Sequence, residues 1–229
     1  TTMDAQTYEE RRAALRRAHP EGVILLPANG QASRNYPEAN YPYRQDSHLL
    51  YYSGIDLPGP VLALFPGGEE VLYHAAPTPE EEVWTGPQPR ARELAAAAGI
   101  AYSADPAELP PRLAGAEVHY LPPYRGERVL QLADLLGRPA PEIAGGASAS
   151  LGRAVADQRN RKEPAEIDQV EEALAVTARS YAEAMALAAP GRREAQVTGA
   201  MQGVALAAER QQAFLPIASV QGQVLHNQS

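Results

Sequence analysis

The residue best suited to chemistry is a lone imidazole near the end of the chain. His226 follows Leu225, after the segment Phe214-Leu215-Pro216-Ile217-Ala218-Ser219. An imidazole beside a strand end can take up or release a proton near neutral pH. A single histidine without a second ligand at metal spacing is more often structural, so both readings stay open. The other histidines, at positions 19, 48, 74 and 119, are scattered, and neither His-Glu-x-x-His nor His-x-His occurs. Trp84, the only tryptophan, lies in the polar, proline-rich stretch Glu81-Glu82-Val83-Trp84-Thr85-Gly86-Pro87. It reads either as a lid over the local core or as an anchor for a ligand or neighbouring subunit.

Several chemistries find no residues to carry them. Glu166, Asp168, Glu171, Glu172 and Glu183 read as the solvated face of a helix, and Glu80-Glu81-Glu82 as a charged loop, so no carboxylate cluster for a metal is visible. There is no Gly-x-Ser-x-Gly, and Pro66-Gly67-Gly68 lacks the lysine of a phosphate loop. Cysteine is absent, which removes disulfides and thiolate chemistry and confines any metal site to His, Asp and Glu. The net charge of −8 comes with cations spread along the chain, so no basic stripe invites nucleic acid. No apolar run of about 18 residues spans a bilayer, and the polar start is unlike a secretory leader, which gives a cytoplasmic expectation with no membrane partner.

The elements that must position these residues are legible. With 45% hydrophobic residues among 229, a normal core is affordable. Asp4 caps a first helix that ends near His19-Pro20, and Val23-Ile24-Leu25-Leu26 is a buried strand. Asp46-Ser47 caps a short helix, 48–52, terminated by Gly54. Val61–Phe65 and Val71–His74 form a hairpin around Pro66-Gly67-Gly68. Helical patterns recur at 90–98, 106–113 and 127–136, with a strand at 118–121. Strands alternating with helices predict an α/β layered fold. Pro139–Ser150 has the composition of a linker. Beyond it, Pro164 opens a long helix reaching Pro190-Gly191, a second helix spans roughly 194–210, and Ile217–Val220 reads as a strand.

Four segments in order resemble the aminopeptidase P and prolidase branch of the creatinase-like, pita-bread metallopeptidases. They are Tyr41-Pro42-Tyr43-Arg44-Gln45-Asp46-Ser47 with Tyr51-Tyr52-Ser53-Gly54; Glu82-Val83-Trp84-Thr85-Gly86; Arg161-Lys162-Glu163-Pro164-Ala165-Glu166-Ile167; and Phe214-x-Pro216-Ile217-Ala218-Ser219 with Leu225-His226. The resemblance implies a creatinase/aminopeptidase P N-terminal domain over residues 1–155, a mixed sheet with flanking helices. The beginning of a pita-bread catalytic domain would follow over 156–229. It also implies an Xaa-Pro aminopeptidase acting on peptides with penultimate proline through two divalent ions, usually Mn²⁺, that activate a bridging water. The family's metal ligands are two Asp, one His and two Glu, and all are expected beyond the end of this chain. The chain alone is accordingly expected to hold no metal and to be inactive.

By the same resemblance, His226 matches a substrate-contacting histidine that assists proton movement, and Trp84 a tryptophan that closes a neighbouring subunit's active site in a homo-oligomer, dimer or tetramer. Two departures stand out. Ser219-Val220-Gln221-Gly222-Gln223 replaces the family's Ser-Gly-x-Asn loop, and the acidic residue expected before the Tyr-Pro-Tyr segment is displaced to Glu38. Prolidase and a metal-free pita-bread binding or assembly protein remain alternatives.

Overall fold

The computed structural model describes residues 3–214 and 216–224. These residues form two compact units that meet in sequence at Arg161 and Lys162.

The first unit is built on a mixed five-stranded sheet. Its strands are β1 (Val23–Pro27), β2 (Val61–Leu64), β3 (Glu70–Tyr73), β4 (Tyr102–Ala104) and β5 (Val118–Tyr120), in the order β4-β3-β2-β1-β5. β2 runs antiparallel to β1 and β3, while β5 lies parallel to β1 and β4 parallel to β3. Val23–Leu26 and Val61–Leu64 carry no polar residue because both faces of these central strands are covered. Ile24, Leu26, Leu62, Leu64 and Leu72 face one core with Leu15, Leu49, Tyr52, Ala95, Ala98, Leu151 and Val155. These come from helices α1 (Ala5–Ala18), α2 (Ser47–Ser53), α4 (Ala91–Ala97) and α8 (Ala149–Asn160) and the residues beside them. The alternate residues Val23, Leu25, Val61, Ala63, Val71 and Tyr73 face a second core with Leu109, Leu113, Leu132 and Ile143. Those are supplied by α5 (Leu109–Leu113), α6 (Gly126–Leu136) and α7 (Ala140–Gly145). The expected α/β layering is therefore a sheet between two helical layers.

Capping chemistry fixes the helix ends. Asp4 accepts from Thr7 N at 2.8 Å, and Asp46 accepts from the amides of His48 and Leu49. Gly54 ends α2 at φ 68°, and a Cβ there would collide with the Tyr8 ring.

Three segments differ from the sequence expectation. Pro139–Ser150 is no linker: it forms α7, whose Ile143 is fully buried and whose carbonyl accepts from Tyr120 Oη at 3.1 Å, and it ends at Ser148, the N-cap of α8. Its glycines and alanines allow close packing, since a Cβ at Gly146 would lie 2.6 Å from Tyr120 Oη. Glu80-Glu81-Glu82 and Trp84 belong to a helix, α3 (Pro79–Thr85), opened by a capping box between Thr78 and Glu81. Ile217–Val220 forms no strand; a strand needs a hydrogen-bonded neighbour, and none of the described residues of the second unit offers one.

The second unit contains α9 (Pro164–Leu187) and α10 (Glu194–Ala207). Pro164 sits at the first helical position, and Glu163 and Glu166 close a capping box, which explains the spacing of the Glu-Pro-x-Glu segment. The helices pack on each other at Ser180, whose hydroxyl reaches the Met201 carbonyl at 3.4 Å. Ile167, Val170, Leu174 and Tyr181 recur at helical spacing yet remain about half exposed.

Candidate functional site

The Arg-Gln-Asp-Ser segment lies at the carboxyl ends of the parallel pair β1 and β5, the edge of an α/β sheet where ligand sites commonly form. Here the residues chiefly hold one another. Gln45 is 1% exposed. Its Oε1 accepts from the amides of Asn29 at 3.0 Å and Asp46 at 2.8 Å, and its Nε2 donates to the carbonyls of Ile55 and Leu57 at 3.0 and 2.9 Å. One amide side chain thus uses both lone pairs and both hydrogens. Asn29, directly after β1, donates from Nδ2 to the Arg44 carbonyl at 2.8 Å and to Tyr124 Oη at 3.0 Å. Arg128 of α6, 7% exposed, donates to the Pro27 carbonyl at 2.6 Å and to Asn29 Oδ1 at 2.9 Å. Tyr43 Oη donates to the Asn29 carbonyl at 3.2 Å.

This network locks the loop 28–45 to the sheet edge, beside a cavity of 20 Å³ with room for about one water. Burial pushes the Tyr43 phenol well above its ordinary range, so it stays a neutral donor. His48 Nδ1 lies 3.0 Å from Arg159 Nη1. Burial lowers the His48 pKa; Asp46 opposes that shift, and the cations Arg159 and Arg128 add to it. A neutral imidazole against a guanidinium, with the nearest carboxylate spent on a helix cap, is an arrangement for positioning backbone rather than for moving protons.

Trp84 is 82% exposed on α3, next to exposed Val83, which removes the reading of a lid over this chain's own core. The helix beneath it is held by the capping box and by an ion pair of Arg90 Nη2 with Glu82 Oε1 at 2.6 Å. His226 lies outside the described residues. Among the described residues no group of three or more His, Cys, Asp or Glu is placed to hold a metal ion. The two divalent ions implied by the resemblance therefore do not fit these residues. No helix of the described residues is long and apolar enough to cross a membrane.

The residues that sequence reading missed are the buried cations. Sequence reading singles out neither Arg12 nor Arg128, nor Asn29 at the end of β1. The available signal was the Asn-Gly dipeptide following an apolar strand, where polar backbone has to be tied down.

The fold has counterparts among solved structures. The Pseudomonas aeruginosa aminopeptidase PepP is 25% identical, with a TM-score of 0.74 over 90% of this chain and 50% of that one. A variant of Escherichia coli aminopeptidase P in complex with substrate is 21% identical, with a TM-score of 0.74 over 91% of this chain and 50% of that one. The zinc-substituted E. coli enzyme in complex with product gives the same values. The chain thus spans about half the length of the solved structures it matches. No curated protein matches it. Residues 8–119 match the family model described as "Aminopeptidase P, N-terminal domain". With the sheet and its flanking helices following the same fold, residues 8–119 of this chain match the N-terminal domain of the aminopeptidase P family.

Proposed function

We propose that this chain is the N-terminal part of an Xaa-Pro aminopeptidase, which releases the first residue of peptides whose second residue is proline. The observation that supports it most is the likeness to PepP over 90% of the chain, which extends the family match at 8–119 into the second unit. In this reading residues 1–155 are the N-terminal domain and 156–229 open the pita-bread catalytic domain. The described residues supply scaffold and shape, and a pair of divalent ions, Mn²⁺ by preference, is held by other residues of the complete protein. His226 contacts substrate and assists proton transfer. Trp84, an aromatic anchor left in water by its own chain, reaches a neighbouring subunit's site in a homo-oligomer. A cysteine-free chain suits the reducing cytoplasm.

The test is a panel of peptides given to the complete protein with Mn²⁺. An Xaa-Pro-Xaa tripeptide should be cleaved with kcat/KM well above that for Xaa-Ala-Xaa and for the dipeptide Xaa-Pro. Cleavage of the dipeptide alone would make it a prolidase. No cleavage of any member, with no bound metal, would make it a pita-bread binding protein and sink the proposal.

A further inference from the structure

Two histidines that no other part of the account uses meet in the interior of the first unit. His19, the C-cap of α1, is 7% exposed, and His119, in the middle of β5, has a side chain 13% exposed. Their ring centroids are 4.3 Å apart, edge to face at 70°. His19 Nε2 lies 3.1 Å from the hydroxyl of Ser150 in the first turn of α8, and Ser150 Oγ is 3.0 Å from Ser148 Oγ, the cap of that helix. His19 Nδ1 and His119 Nε2 are buried without a hydrogen-bond partner.

The surroundings fix the rings and disfavour charge on His119. A Cβ at Gly22 would lie 2.6 Å from His119 Cδ2 and Nε2, so the turn between α1 and β1 closes directly on this ring. From α1, Arg16 donates from Nη1 to the His19 carbonyl at 3.2 Å and to the Gly22 carbonyl at 3.0 Å, which puts a fixed positive charge at the corner. Just before β5, Glu117 Oε1 is 3.5 Å from His119 Nε2, but that carboxylate is largely exposed and its pull is screened by water. Glu21, in the turn, is the other carboxylate acting on His119, and α8 contributes the neutral hydroxyls of Ser148 and Ser150. An imidazolium needs acceptors for both of its N–H groups; His19 Nδ1 has none, and His119 Nε2 has only the largely exposed Glu117 carboxylate at 3.5 Å. Two charged rings in edge contact would also repel each other.

We propose that His19 and His119 form a proton-sensitive latch, which holds the first turn of α8 against the corner of α1 and β1 while the His119 ring is neutral and releases it on mild acidification. The helix so held is the last element of the first unit before the chain continues into the second, so the latch sets how firmly the unit's end is anchored.

The sign follows from linkage. Burial, His19 and Arg16 lower the His119 pKa against the smaller pull of Glu117 and Glu21. The released state then binds more protons than the latched one once the pH falls below about 6.5, the ordinary histidine value. The latch is complete above that pH and weakens as the pH falls toward the depressed folded value of His119, by up to about tenfold per pH unit.

Hydrogen–deuterium exchange of the complete protein between pH 7.5 and 5, corrected for intrinsic exchange, reads the opening directly. The expected result is loss of protection at Leu151 and Gly152, steepest below pH 6.5, while β2 and β3 stay protected. In the variants His119→Gln and His19→Gln that local slope should flatten. The unmodified protein gives a second readout that needs no variant to fold: the C2–H exchange of each imidazole, followed by mass spectrometry, should place His119 below the ordinary histidine range. Equal slopes in the unmodified protein and both variants, protection lost evenly across the sheet, or His119 titrating at or above the ordinary value would each overturn the latch.

Discussion

Replacing Arg12 by methionine should destabilise the first unit more than any change at its surface. Arg12 is fully buried in α1. Its Nε pairs with Glu70 Oε2 at 2.7 Å, Nη1 donates to the carbonyls of Tyr52 and Ala98 at 2.9 Å each, and Nη2 donates to the Gly99 carbonyl at 3.0 Å. One guanidinium therefore ties α1 to the ends of α2 and α4 and to β3. Methionine keeps much of the aliphatic volume but strands a carboxylate and three carbonyls. Breaking a buried ion pair from one side costs about 3–5 kcal/mol. Glu70 is 24% exposed and can draw in water, which holds the expected loss near the middle of that range, about 4 kcal/mol. Against a typical total of about 5–15 kcal/mol, that is a large share.

The pH dependence carries a signature. Burial already raises the Glu70 pKa, with Arg12 the chief opposing influence, and removing Arg12 raises it further. The folded variant then binds more protons than the unfolded chain, whose glutamates titrate near about 4.3. Its deficit is full at neutral pH and shrinks as the pH falls through the raised folded value. Urea unfolding followed by the near-ultraviolet signal of the buried Tyr52, Tyr73 and Tyr120 reports on this unit, and should show the loss at pH 7 and a smaller one at pH 5. A loss below about 1 kcal/mol, or a deficit unchanged between the two pH values, would refute the assignment of Arg12 as the hub.

Three further substitutions probe other parts of the account. Gly54→Ala forces a Cβ into a left-handed φ of 68° and against Tyr8, and should cost about 2–4 kcal/mol in thermal or chemical unfolding; an unchanged melting temperature would contradict it. Trp84→Ala should leave the melting temperature unchanged, since the ring is exposed, but weaken oligomerisation of the complete protein by sedimentation or lower its peptidase rate; a variant that unfolds instead would restore the lid reading. His226→Ala in the complete protein should lower kcat by about a hundredfold with its metals still bound; retained kcat would reject the proton-transfer role, and lost metal would make His226 a ligand.

How much of this was legible in the sequence depended on whether a signal was local. Asp4, Asp46, Gly54 and Pro164 announced helix ends because capping and positive φ are decided within a few residues. The apolar runs 23–26 and 61–64 announced central strands because burial on both faces leaves no alternation to confuse. Pro139–Ser150 misled because small residues serve both a flexible linker and a tightly packed helix, and only the approach of Tyr120 distinguishes the two. The helix carrying Trp84 was missed although Thr78-Pro79-Glu80-Glu81 is a capping sequence; the acidic run drew attention to charge instead. Arg12, Arg128 and the His19–His119 contact depend on partners up to 101 residues away, which periodicity does not encode. Of the candidate site, the motif positions were visible, but the work that Gln45 and Asp46 do for one another and for Asn29 emerged only from the geometry.

The central claim is that this chain provides the scaffold while the ions and their ligands belong elsewhere in the complete protein. Metal analysis of the 229-residue chain after equilibration with Mn²⁺ and exhaustive dialysis tests it most directly. The account predicts far less than one ion per chain and no hydrolysis of an Xaa-Pro-Xaa peptide, whereas the complete protein retains metal and cleaves it. A tightly held pair of ions in the chain alone, with peptide cleavage, would contradict the account.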